Sequence, residues 1–200
     1  MALLSTVSLS VVACGALLLV ACGGGTSSPS TPTPTGAKSP PVAASPTVAA
    51  SPTSEPLQGG RTPVDGSLGT GLVAALVDVR TADQGAFDRI TFEFDAAGPN
   101  YRVEYVTSPA QCGSGEAVAL SPGQAALQVK FTPAVAHDEA GQPTFGRNTL
   151  TPALASIAKV VRSCDFEADV TWIVILPGSL DFRVTPLQNP ARLAVDIAHP

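Results

Sequence analysis

Histidine is almost missing from this 200-residue chain, which holds only His137 and His199. Hydrolytic triads and most zinc sites draw on histidine, so both chemistries have little to build with. The four cysteines include no C-x-x-C spacing, and His137 is isolated from them, which argues against a cysteine metal site. Aromatic residues make up 5% of the chain, too few for the exposed stacking platforms that grip sugars. Charged residues are scarce too, at 14%, and the balance is acidic, with a formal net charge of −5. No basic stripe breaks that balance, so nucleic acid is disfavoured as a partner. Nor does any Lys or Arg occur in Met1-Ala2-Leu3-Leu4-Ser5, where a secretory signal ordinarily carries positive charge.

Beyond that uncharged start the chain turns apolar. Residues 11–21 are hydrophobic apart from Gly15 and Cys14, and they close on Leu19-Val20-Ala21-Cys22-Gly23. This motif resembles the lipobox of bacterial lipoproteins, and the resemblance implies a removable signal segment over residues 1–21. It also implies a lipid on Cys22, which becomes the first residue of the mature chain. Each buried CH₂ of such a lipid contributes about 0.8 kcal/mol, so two or three acyl chains anchor the protein to the membrane lastingly. The expected location is therefore extracytoplasmic.

Residues 22–71 read as a lipidated cysteine followed by a disordered stalk. Nine of the 19 prolines fall here, with Thr-Pro-Thr-Pro-Thr and two copies of Ala-Ala-Ser-Pro-Thr (43–47 and 49–53), and only Lys38, Glu55, Arg61 and Asp65 are charged. Proline cannot donate to a strand ladder, and Ser, Thr and Gly bring little apolar area, so no core is expected. A stalk of this length spans roughly 35–40 Å as a flexible coil, or up to about 140 Å in polyproline II.

Residues 72–200 are enough for one domain with a sizeable core. Outside the cytoplasm, with Cys14 in the signal and Cys22 acylated, Cys112 and Cys164 remain as an even pair and are expected to form a disulfide. Strand patterns dominate. Ile90, Phe92 and Phe94 alternate with Thr91, Glu93 and Asp95, Tyr101, Val103 and Tyr105 with Arg102 and Glu104, and Leu127, Val129 and Phe131 with Gln128 and Lys130. A hairpin across Ala96-Ala97-Gly98-Pro99-Asn100 would join the first two of these and set Glu93 beside Arg102 on one solvated face. Residues 170–176 are apolar on both faces, as in a strand covered on two sides. Residues 182–185 and 192–197 read as shorter strands around the turn former Gln188-Asn189-Pro190. Only residues 152–162 carry helical spacing, through Leu154, Ile157, Ala158 and Val161. The expected fold is all-β: a small β-sandwich of about eight strands with one short helix.

Three of these segments, in order, carry a family resemblance. Leu76-Val77-Asp78-Val79-Arg80, then Phe87-Asp88-Arg89-Ile90-Thr91-Phe92-Glu93-Phe94, then the stretch from Phe182 to Ile197 resemble the AMIN domain. Its pattern runs V-x-x-V-R, R-V-x-F-x-F and P-x-R-L-V-V-D. Residues 101–106, Gly113-Ser114-Gly115, Asp165-Phe166-Glu167 and Val170-Thr171-Trp172 are closer still to the AMIN-like domain of actinobacterial lipoproteins. The resemblance implies a small β-sandwich. AMIN domains are envelope-targeting modules thought to bind peptidoglycan or periplasmic partners, and the AMIN-like group brings no established activity, cofactor or metal.

Candidate chemistry is thin. Ser114 with His137 and Asp138 could be drawn as a triad for an envelope hydrolase, but Ser114 lacks the G-x-S-x-G elbow. His137-Asp138-Glu139 also suits a polar turn, and adjacent residues converge poorly on one ion. The carboxylate pairs Glu93/Asp95 and Asp165/Glu167 share a side of their strands, with a solvated sheet face as their expected setting. Trp172 lies in the most apolar strand and reads as core. Arg80, Arg89, Arg183 and Arg192 are the better binding candidates, because neighbouring strands would gather some of them on one rim to meet carboxylates of peptide stems. Their alternative role is pairing with Asp78, Asp88, Asp95 and Asp196. The sequence thus points to a lipid-anchored binding or scaffolding module for peptidoglycan or an envelope protein. A hydrolase using His137, or a passive structural lipoprotein, stands as the alternative.

Overall fold

The computed structural model describes residues 56–69, 71–96 and 98–200. The signal segment, Cys22 and the stalk up to position 55 lie outside the described residues.

The alternating segments form strands because each has one apolar face to bury and one polar face to leave wet. In chain order they are β1 (Val64–Ser67), β2 (Ala74–Asp83), β3 (Phe87–Phe94), β4 (Asn100–Val106), β5 (Ala125–Thr132), β6 (Ala134–Val135), β7 (Thr149–Leu150), β8 (Lys159–Phe166), β9 (Asp169–Leu176), β10 (Phe182–Leu187) and β11 (Arg192–Ala198). Two sheets result: six strands in the order β1-β4-β5-β9-β8-β7, and five in the order β10-β11-β3-β2-β6. Every pairing is antiparallel except β2 with the two-residue β6.

The core lies between the sheets. Ile90, Phe92 and Phe94 of β3 are buried, as are Leu127, Val129 and Phe131 of β5 opposite. Phe131 meets Phe92 and Phe94 at ring distances of 5.2 and 4.9 Å, and Trp172 of β9 stands 6.1 Å from Phe92. Each such side chain contributes about 1.5–3 kcal/mol on burial. Trp172 is core, as its strand implied.

Three expectations change. The apolar faces of β3 and β4 do not lie side by side in a hairpin, because the chain crosses between sheets after Phe94. β3 sits between β11 and β2, whereas β4 sits between β1 and β5. The two faces meet across the core, which buries more aromatic surface than one sheet face could. Glu93 and Arg102 therefore face solvent on opposite sides of the sandwich. Second, residues 152–162 contain no helix, and none occurs among the described residues. Ile157 is buried within an irregular loop, and the β-branched pair Val160-Val161 alternates within β8, whose geometry suits such residues. Third, there are eleven strands among the described residues, and β1 lies within the stretch read as stalk. Gly66 makes this pairing possible: a Cβ there would collide with the Tyr101 phenol packed over it.

The approach to β1 ties both sheets together. Gly60 exchanges backbone hydrogen bonds with Phe182 on the edge of one sheet, and β1 then pairs with β4 on the edge of the other. Arg61 adds an ion pair to Asp181 at 2.8 Å.

β9 is covered on both faces, as its composition implied. Ile173 and Ile175 point away from the main core and form a second cluster with Ala126, against which Val106, Val118 and Leu120 pack. The cover comes from residues 107–121, folded as a small hairpin in which Gln111 N donates to Glu116 O and Val118 N to Pro109 O. Cys112 in this hairpin is disulfide-bonded to Cys164 of β8, with Cα atoms 5.2 Å apart. The expected bridge is present.

Candidate functional site

Cross-strand register decides which side chains share a face. On the five-stranded sheet Arg183 of β10 pairs with Asp196 of β11, and Asp196 with Arg89 of β3. Thr185, Ala194, Thr91 and Arg80 form the next outward row, and Leu187, Arg192, Glu93 and Asp78 the third. All four candidate arginines thus stand on the outer face of one sheet, where the sequence led us to expect some of them on a rim.

Their electrostatics differ. Asp196 is completely buried, yet it takes two bonds from Arg89 (2.6 and 2.9 Å) and one from Arg183 (2.7 Å). The bond to Asp196 holds the Arg89 pKa above its ordinary value despite partial burial. Both guanidiniums also lean on the Phe87 ring, at 5.6 and 5.5 Å, in cation–π geometry. Arg80 bonds to Glu93 at 2.7 Å and to Asp78, which together raise its pKa, Glu93 most. Arg192 is different: its Nε donates to Pro190 O at 3.3 Å, and it has no carboxylate partner among the described residues. The Glu93 opposite Arg192 in the register is already held by Arg80. Arg192 is thus the one of the four arginines without an ion pair among the described residues.

The family model for the AMIN-like domain matches residues 74–199, from β2 through β11. The chain belongs to the AMIN-like domain family. Searches of curated proteins and of solved structures return no match. An AMIN-like domain points to an envelope-targeting or binding module, working outside the cytoplasm.

The remaining candidates of this AMIN-like domain do not assemble. Ser114 Oγ accepts from Glu116 N at 3.2 Å, and no hydrogen bond joins it to His137 among the described residues. His137 Nδ1 instead lies 3.0 Å from Asp165 Oδ1. Asp138 caps its own turn by accepting from Ala140 N and Gln142 N. Of the carboxylate pairs, Glu93 is taken by Arg80, and Asp95 accepts from Ala75 N at 2.9 Å. Asp165 is not on a solvated face: Arg162, His137 and Ala136 N surround it, and Glu167 sits in the β8–β9 turn with φ of 50°. Tyr105 is half-buried, its hydroxyl donating to Leu180 O at 2.6 Å and accepting from Leu180 N at 2.9 Å.

Asp88, read from the sequence as a partner for the arginines, pairs with none of them, and its inward position was missed. Its carboxylate is buried, accepting from Ser156 N at 2.7 Å and Ser156 Oγ at 2.6 Å, with His199 Nε2 at 3.1 Å from its other oxygen. Burial pushes its pKa up, but these bonds outweigh burial and hold it below the ordinary value. A signal existed: Asp88 shares the parity of Ile90, Phe92 and Phe94, the inward positions of β3. Asp83, Asp88 and His199 bring possible metal-ligand atoms within 4.8 Å of one another. Asp88 Oδ2 is taken by Ser156, and the contact of Oδ1 with His199 fastens the segment after β11 to β3.

Proposed function

We propose that this AMIN-like domain is a non-catalytic binding module that meets anionic groups of the cell-wall polymer through the outer face of its five-stranded sheet. Arg192 carries the reading. It is a guanidinium without a carboxylate partner among the described residues, on a face where Arg80, Arg89 and Arg183 are held rigid by acidic neighbours. Prearranged guanidiniums suit carboxylates such as those of peptide stems, because the forked donors match two oxygens at once. The domain works outside the cytoplasm at the end of the proline-rich stalk, anchored to the membrane by lipid on Cys22. Metabolic labelling with a palmitate analogue tests the anchor, and a Cys22→Ala chain that labels equally well overturns it.

Retention of the full chain on insoluble peptidoglycan tests the face. The double variant Arg80→Ala/Arg192→Ala should lose at least about tenfold in retention, or roughly 1.4 kcal/mol, with an unchanged melting profile. Equal retention of variant and parent would remove the wall-binding reading, and an envelope protein crosslinked at the same face would replace it.

A further inference from the structure

We propose that the Cys112–Cys164 disulfide is an exchangeable latch: a dithiol opens it, and residues 107–121 then lift from an apolar stripe on the six-stranded sheet. The bond is reachable. Cys112 is exposed and Cys164 half-buried, and together with Gln111, Ser114, Asn148 and Arg162 they line a surface recess of about 350 Å³. A thiolate can therefore approach the sulfurs without prior unfolding, which is what exchange requires.

What the bond holds is separable from the rest of the domain. The hairpin's hydrogen bonds are mostly its own, from Gln111 N to Glu116 O, Gly115 N to Gln111 O and Val118 N to Pro109 O. Its links to the sheet are Cys112 N to Ser163 O at 2.9 Å, the disulfide, and the packing of Val118 and Leu120 on Ala126, Ile173 and Ile175. Those three residues form a cluster of their own, apart from the main core that contains Phe92, Phe131 and Trp172. Opening the latch removes the strongest link to the hairpin and leaves the main core intact. It also takes Val118 and Leu120 off Ile173 and Ile175, leaving Val106 of β4 packed beside them.

The chemistry balances without further reagents. One thiolate of the dithiol attacks a sulfur of the bridge, the S–S bond breaks, and the displaced cysteine leaves as thiolate. The second thiol then resolves the mixed disulfide. The dithiol ends as a disulfide, and Cys112 and Cys164 end as two thiols.

Hydrogen–deuterium exchange on the full chain, before and after native treatment with dithiothreitol, tests the latch. Residues 107–121 should exchange at least about tenfold faster after reduction, a dye selective for apolar surface should bind, and β3 and β5 should remain better protected than the hairpin. Reoxidation should restore the starting pattern. Hairpin protection changed less than twofold overturns the proposal. So does failure of dithiothreitol to reduce the folded protein, scored by alkylation mass, and so does exchange in β3 and β5 as fast as in the hairpin. Cys112→Ser/Cys164→Ser should reproduce the reduced pattern and ignore oxidants; if it does not fold, the reduced parent chain decides.

Discussion

Replacing Asp196 by alanine should destabilise the domain by about 3 kcal/mol. Breaking a buried ion pair from one side usually costs about 3–5 kcal/mol, since the remaining charge loses its partner. Here the lost carboxylate is fully buried, while Arg89 and Arg183 keep side-chain exposures of 31% and 42%. Water can re-solvate both guanidiniums once the acid is gone, and this places the cost at the low end of the range. For a domain of this size that loss lowers Tm by roughly 10 °C. Urea unfolding of the oxidised chain measures the effect directly. Arg89→Ala alone should cost less, because Asp196 keeps Arg183. The double variant Arg89→Ala/Asp196→Ala should fall short of the sum of the two single losses by about 1–2 kcal/mol. A loss below about 1 kcal/mol for Asp196→Ala, or strict additivity of the pair, would refute the view that this carboxylate organises the face.

Other parts of the fold carry three further expected outcomes. Asp88 has a folded pKa below its ordinary value of 3.8, so its contribution is complete above that value and disappears as pH falls through the folded one. Asp88→Asn should therefore be less stable at pH 7 and show a shallower loss below about pH 4 in thermal melts across pH. Reducing the disulfide, which closes a separation of 52 residues, should remove about 4 kcal/mol of global stability by urea titration while circular dichroism still reports a folded sheet. Gly66→Ala, which drives a methyl into the Tyr101 phenol, should cost about 1–3 kcal/mol in urea unfolding, and Tyr101→Phe should not rescue it, because the ring carbon that the added methyl meets remains.

Strand faces were legible because they depend on local alternation. Ile90, Phe92 and Phe94 could only be buried together, and Ile173 and Ile175 marked β9 as covered twice. Sheet membership was not legible. The five residues between Phe94 and Asn100 suit a hairpin as well as a crossing between sheets, and the choice rests on Phe131 waiting across the core. The helix expected at residues 152–162 arose because Leu154 and Ile157 are three apart, a spacing that a loop dipping into the core reproduces by chance. The arginine face was half legible. Strand parity gives the side on which each arginine stands, but which acid holds which arginine depends on register, and register puts Asp196 between two of them. Asp88 was hidden by its type: an acid at an inward position is read as an exception until Ser156 and His199 are brought to it from distant loops.

The stitch formed by Gly60, Arg61 and β1 has a mechanical consequence. Any pull arriving along the N-terminal chain is divided between the two layers of the sandwich, one loaded through Phe182 and the other through β4. Neither layer can be peeled away first without the other resisting, so a head held at this point should stay folded under drag that would unravel a domain suspended from a single edge.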